Sequence, residues 1–216
     1  MTTGYIARTA DYKGEFSRYK APGSGGLWVF DIDDYYAKAI QKGAHVSGYD
    51  LLASEDYLCP ESTIQIDVQT KSGNTFSTGS SDRAWVHIQN PGAVASSYGM
   101  NGYLYSSIGG QNFPTNVGFY GKEAWPDFID KVVDTTRMPL FLDSVWVDGW
   151  PRHTDPKPAT FENFVGGLNP NMQRFSIDRH GSGNQNTSFL DGHAETVFCG
   201  DLWSMQWNKN FVPENP

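Results

Sequence analysis

Between residues 174 and 198 the chain reads RFSIDRHGSGNQNTSFLDGHAETVF. Two histidines, two aspartates and two asparagines fall within Asp178 to His193. Histidine beside carboxylate is the pairing used for acid–base catalysis and for zinc-dependent hydrolysis. A metal-dependent hydrolase built on Asp178, His180, Asp191 and His193 is therefore one reading. The ready-made spacings are missing: there is no H-E-x-x-H, no H-x-E with P-C-x-x-C, and no G-x-S-x-G. Asp191-Gly192 is instead the pair that a two-residue type I′ hairpin loop demands, with positive φ at both positions. Spacing favours a hairpin with polar tips, His193 standing opposite Leu190.

Other residues that could do chemistry are weaker. DIDD (31–34) gathers three acids, but a calcium loop starting there would need Gly and Glu where Tyr36 and Lys42 stand. GSGG (23–26) lacks the G-K-[ST] ending of a phosphate loop. The sequon Asn186-Thr187-Ser188 lies inside a predicted strand and carries no weight. Trp146 with Trp150, and Trp203 with Trp207, could form a carbohydrate platform, although core packing is the commoner use of such residues. Cys59 and Cys199 are too few for a zinc framework; they are two free thiols or one disulfide.

The elements that must position these residues are mostly short strands. STIQIDVQT alternates at Ile64, Ile66 and Val68, AWVHIQN (84–90) alternates likewise, and MPLFLDSVWVDGW (138–150) reads as a buried apolar strand. RFSID, NTSFL and AETVF read as three more strands, the last two joined at Asp191-Gly192. Helices are expected only over about 32–42 and as a turn or two within 122–133. SSYGMNGYLYSS reads as irregular extended chain, and 151–172 as a long loop.

Composition agrees. The 216 residues are 38% hydrophobic and 14% aromatic, with 23 Gly and 12 Pro, which suits strands and loops more than long helices. A single globular domain over 1–216 is expected, with 1–26 extended or poorly ordered. The net charge of -8, with 16 scattered Lys and Arg, disfavours nucleic acid and anionic membrane surfaces as partners. No apolar run approaches the ~20 residues that span a bilayer.

Taken in order, Arg179-His180, Asn186, Phe189, Asp191-Gly192-His193 and Glu195 resemble the hallmark of the H-X9-DG family of prepilin-like proteins. YLCP (57–60), YGMNGYL (98–104), MPLFLDSVWVDGWP (138–151) and DLWSMQWNKNF (201–211) resemble its Cys-Pro, Tyr-Gly-x-Asn, Asp-Ser and Leu-Trp-x-x-x-Trp elements. The resemblance spans about residues 57–211. It departs in two places. Ten residues separate His180 from Asp191, not nine, the extra one lying in GSGNQ. Nothing matches the prepilin leader and long apolar helix that usually open such chains.

The resemblance implies an α+β fold: a pilin-like antiparallel sheet with a C-terminal β-hairpin, short helices and long loops. It implies a pseudopilin-like structural or secretion-associated protein of the periplasm or cell envelope. An N-terminal helix ahead of Met1 would anchor it in the inner membrane, and other pilin-like subunits would be its partners. No catalysis and no cofactor are required. Calcium is the one cofactor left open, with Asp178, Asp191 and Asp201 as the acids that would hold it. The motif residues take structural jobs: Asp191 and Gly192 make the turn, and His180 pins GSGNQ through a backbone carbonyl or Asp191. Asn186 satisfies loop backbone groups, and Arg179 pairs with Asp178 or Glu195. Cys59 would bond to Cys199 or to a cysteine of the absent segment. An extracytoplasmic carbohydrate-binding module using exposed aromatics is the alternative from a different class.

Overall fold

The computed structural model describes residues 2–20, 28–29, 42–46, 49–52, 57–64, 69–71, 74–89, 92–111 and 124–214. The helix expected over 32–42, DIDD and GSGG lie outside these residues, except that Lys42 opens a strand. The fold is α+β. One α-helix, α1 (Thr2–Asp11), precedes thirteen strands among the described residues: β1 Arg18–Lys20, β2 Lys42–Val46, β3 Tyr49–Leu52, β4 Gln69–Lys71, β5 Asn74–Ser77, β6 Trp85–Gln89, β7 Gly92–Ser96, β8 Tyr98–Asn101, β9 Ser106–Gln111, β10 Pro139–Asp143, β11 Asp148–Gly149, β12 Asn184–Phe189 and β13 Ala194–Phe198. The N-terminal segment is thus a packed helix and strand where it is described, not an extended tail. Tyr5 explains why: its ring is fully buried, edge-on to Phe141, and its hydroxyl donates to Leu104 O at 2.9 Å.

Three sheets carry the strands. Five strands run in the order β11-β8-β10-β12-β13, six in the order β2-β3-β7-β6-β5-β4, and β1 pairs with β9. The five-stranded sheet is antiparallel except where β11 joins β8 in parallel. Its middle strand β10, PLFLD, is buried at every position, as an apolar run between two neighbours must be. β12 alternates, with Gln185, Thr187 and Phe189 inward. A single residue, Ser97, passes the chain from β7 of the larger sheet to β8 of the smaller. Asn101 ties β8 to its surroundings: its Nδ2 donates to Pro139 O and to Trp207 O, each at 3.0 Å.

Several expectations are met and others are corrected. β6 falls inside AWVHIQN. Of STIQIDVQT, Thr63 makes an isolated bridge and β4 begins at Gln69, residues 65–68 lying outside the described set. RFSID is not a strand. Its Arg174 ends a 3-10 turn (Asn171–Arg174), and Phe175 N donates back to Met172 O. Within 122–133 the structure describes the 3-10 turn Ile129–Lys131, and Ala124 is in 3-10 conformation as well. Six of the seven tryptophans are buried: Trp28, Trp85, Trp125, Trp150, Trp203 and Trp207. Trp146 is half-buried against Phe76 and Trp85. Trp146, Trp150, Trp203 and Trp207 therefore serve the core and its rim rather than an open sugar platform.

Asp148 of β11 is a buried acid inside this core. Burial pushes its carboxyl up to about 6, against the pull of Arg174 at 3.7 Å and the Tyr105 hydroxyl at 3.2 Å. A folded-state value above the ordinary 3.8 means that its contribution to stability is complete below pH 3.8 and is lost as pH rises through about 6. The loss is on the order of 3 kcal/mol. In Asp148→Asn that share of the pH dependence should vanish, read as a flatter urea-unfolding free energy between pH 4 and 7. A slope equal to wild type would show that Asp148 does not titrate there.

Candidate functional site

Three of the residues named above, Arg179, His180 and Asn186, gather around an acid that spacing did not single out. Asp143 closes β10, and its side chain is fully buried. An ionised carboxylate in that position needs partners, and it has three. Arg179 Nη1 donates to Oδ1 at 2.8 Å. Asn186 N donates to Oδ2 at 2.8 Å, and His180 Nε2 lies 3.0 Å from the same oxygen.

Arg179 does more than neutralise Asp143. Its planar fork donates to Ser97 O at 2.6 Å, Ser80 O at 2.7 Å, Ser81 O at 3.1 Å and Arg83 O at 3.3 Å. Ser80–Arg83 is the turn between β5 and β6, and Ser97 is the residue that crosses between sheets. One guanidinium therefore joins the rim of the six-stranded sheet to the centre of the five-stranded one. Lysine has a single ammonium and could not make these directed bonds. The expected pairing of Arg179 with Asp178 or Glu195 is replaced by this clamp.

His180 faces Asp143 rather than Asp191 or a loop carbonyl. The hydrogen bond to Asp143 holds its imidazole above the ordinary value, outweighing partial burial. Asn186 Nδ2 lies 3.0 Å from the ring Nε2, and Thr196 Oγ1 donates to Asn186 Oδ1 at 2.8 Å, so Asn186 bridges the histidine to β13. Pinning GSGNQ falls to Asp178 instead. Asp178 accepts Gly183 N at 2.9 Å and Asn163 N at 2.7 Å. Gly181, Ser182 and Gly183 all have positive φ (77°, 57° and 75°), so the longer loop is a left-handed coil stapled by Asp178.

Cys59 completes the cluster. Its Sγ lies 3.7 Å from His180 Nε2, and its backbone N donates to Ser97 Oγ at 3.1 Å. Burial raises the thiol's pKa. Tyr98 stands beside it; burial raises the phenol's pKa well above its usual range, with Asp143, Cys59 and a hydrogen bond to Cys59 adding to the rise. Cys199 is elsewhere, its Sγ donating to Ile177 O at 3.4 Å, and burial pushes its thiol up to about 12. Both cysteines are free, so of the readings left open for Cys59 and Cys199 the structure has two free thiols.

The hairpin tip is separate. Gly192 has φ 103° but Asp191 does not have positive φ, and Phe189 N donates to His193 O at 2.9 Å. The loop is thus the three residues Leu190–Gly192 rather than a two-residue type I′ turn. His193 stands opposite Phe189, not Leu190, with the rings stacked at 4.3 Å. Asp191 accepts His193 Nδ1 at 2.6 Å at the exposed tip. Asp178, His180, Asp191 and His193 accordingly serve three different places, and the hydrolase constellation does not assemble. Asp201 is exposed in the 3-10 turn Cys199–Ser204 and does not join Asp178 or Asp191, so the three acids offered for calcium share no site.

Cysteine, histidine and aspartate together suggest a nucleophilic triad, but the geometry is wrong for one. A triad needs the acid on one ring nitrogen and the nucleophile on the other. Here Asp143 and Cys59 both address Nε2, and the thiol is stabilised in its neutral form. A cleft of about 270 Å3 lined by Val132, Val133, Arg137 and Met138 contains none of these residues. Asp143 was legible in one respect: an acid closing an otherwise apolar strand must have a buried partner. No family profile, curated protein or solved structure matches this chain.

Proposed function

We propose that the chain is the globular part of a pseudopilin-like structural subunit, secretion-associated and without a catalytic centre. The observation that carries this reading is convergence. Cys59, Tyr98, Asp143, Arg179, His180 and Asn186 come from four stretches that resemble one family, and they meet in a single node around the buried Asp143. Arg179 spends all of its described hydrogen bonds on Asp143 and on backbone carbonyls, which is how a residue acts when its task is to fix a fold.

In this reading the globular part sits in the periplasm or cell envelope, held at the inner membrane by an N-terminal helix. Its partners are other pilin-like subunits. Tagging the protein in its native cells, followed by fractionation and in-cell cross-linking, tests it. Recovery with the inner membrane, cross-linked to pilin-like subunits identified by mass spectrometry, is expected. Recovery as a cytoplasmic monomer overturns it.

A further inference from the structure

We propose that Cys59, Asp143 and His180 bind a divalent cation of the zinc class, with a fourth position open to solvent. The inference goes beyond the structural role and does not depend on it. Each residue offers one ligand atom, and these atoms lie within 4.8 Å of one another. Sγ to Nε2 is 3.7 Å, and Nε2 to Oδ2 is 3.0 Å. Around a tetrahedral ion with bonds of about 2.0–2.3 Å, neighbouring ligand atoms stand roughly 3.3–3.6 Å apart. Both histidine edges are within a few tenths of an ångström of this, and the Cys59–Asp143 edge lies within 4.8 Å, so the thiol and the carboxylate draw together as the ion enters.

The donor set selects the metal. Calcium and magnesium take six or more oxygens, whereas one sulfur, one nitrogen and one oxygen suit zinc and its neighbours. A supporting shell is already built, as ligand orientation requires. Arg179 holds Oδ1 of Asp143 and leaves Oδ2 turned toward the histidine. Asn186 N donates to that Oδ2, and Ser97 Oγ fixes the Cys59 backbone. The access route is on the histidine side, where the His180 side chain is 19% exposed. The exposed Glu61 carboxylate acts on both Cys59 and His180 and draws cations toward them. On binding, the thiol proton and any hydrogen on Nε2 leave to solvent, so that sulfur and nitrogen present lone pairs to the ion. Arg179 adds a fixed positive charge nearby, which makes the site weaker than the same ligands would be alone.

Cobalt(II) is the probe, added to the full chain after chelation and then displaced with zinc. One equivalent should give the intense visible bands of a tetrahedral ion and a thiolate-to-cobalt charge-transfer band, both removed by zinc. Cys59→Ser should lose the charge-transfer band and weaken zinc binding at least about tenfold, a loss of the size seen on disturbing metal ligation. His180→Gln should weaken binding comparably, while Cys199→Ser should bind as wild type. Circular dichroism shows that each variant is folded before titration, and whichever of Cys59→Ser and His180→Gln folds decides the matter. No charge-transfer band in wild type, or a band that survives Cys59→Ser, overturns the site.

Discussion

Asp143→Ala should lower the unfolding free energy by about 3–5 kcal/mol, the cost of leaving one half of a buried ion pair unmatched. Arg179 has no exposed side-chain surface, so its charge cannot turn to water once the carboxylate is gone. Asn186 N loses its acceptor at the same time, and His180 loses the group that holds its proton. Urea unfolding in chelator-treated buffer measures the effect: the midpoint should fall with the slope unchanged. Asp143→Ala combined with Arg179→Met leaves no buried charge but also removes the bonds to the Ser80, Ser81, Ser97 and Arg83 carbonyls, so the double variant should stay well below wild type. A single variant as stable as wild type would show that the node does not hold the sheets together.

Trp207→Ala should cost a similar amount, about 3–5 kcal/mol, for a different reason. Trp207 is fully buried, and its ring packs against Phe175 with centroids 5.2 Å apart. Its Nε1 donates to Leu202 O at 2.7 Å, closing the 3-10 turn Cys199–Ser204 onto the residues that follow. Its own carbonyl accepts Asn101 Nδ2 at 3.0 Å, so the C-terminal segment is tied through it to β8. Truncation leaves a cavity and takes from Leu202 O its shorter donor, leaving it only Met205 N at 3.4 Å. For a chain of this size such a loss lowers Tm by roughly 6–20 °C. Trp146→Ala, at the half-buried rim, is the comparison and should lower Tm by less.

The two variants test different layers of one design. Trp207 acts through volume, and any large apolar ring placed there would restore most of its effect. Asp143 acts through direction and charge, and even asparagine would turn an amide N–H toward a donor. The node is also where both proposals meet. A structural subunit needs the Arg179 clamp, while a zinc-class ion needs only Oδ2 of the same carboxylate.

Local pattern was legible where one element decides the outcome. β10 shows as an apolar run, β6 and β12 show as strands, and Asp191-Gly192 shows as a turn, because burial periodicity and turn chemistry act over a few residues. Even there the turn type escaped: whether Asp191 adopts positive φ depends on how β12 and β13 pair. α1 was missed because its buried contacts are few, and Tyr5 is anchored by Leu104, 99 residues away. RFSID was misread because its apolar residues are buried by a turn packed on the core, not by a sheet.

The sequence by itself determined that Arg179, His180, Asn186 and Asp191 fall in one short stretch, 179–191, and that this stretch ends in a strand and an Asp191-Gly192 turn. Only the tertiary structure decided what they hold. Asp143 is 36 residues from Arg179 and 37 from His180, and Cys59 is 121 from His180. No local propensity links groups so far apart. They meet because β10 runs beside β12 and because Ser97 carries the chain from one sheet to the other. Electrostatics then fixes the partners, since a buried carboxylate must be matched by whichever donors the packed strands bring within reach.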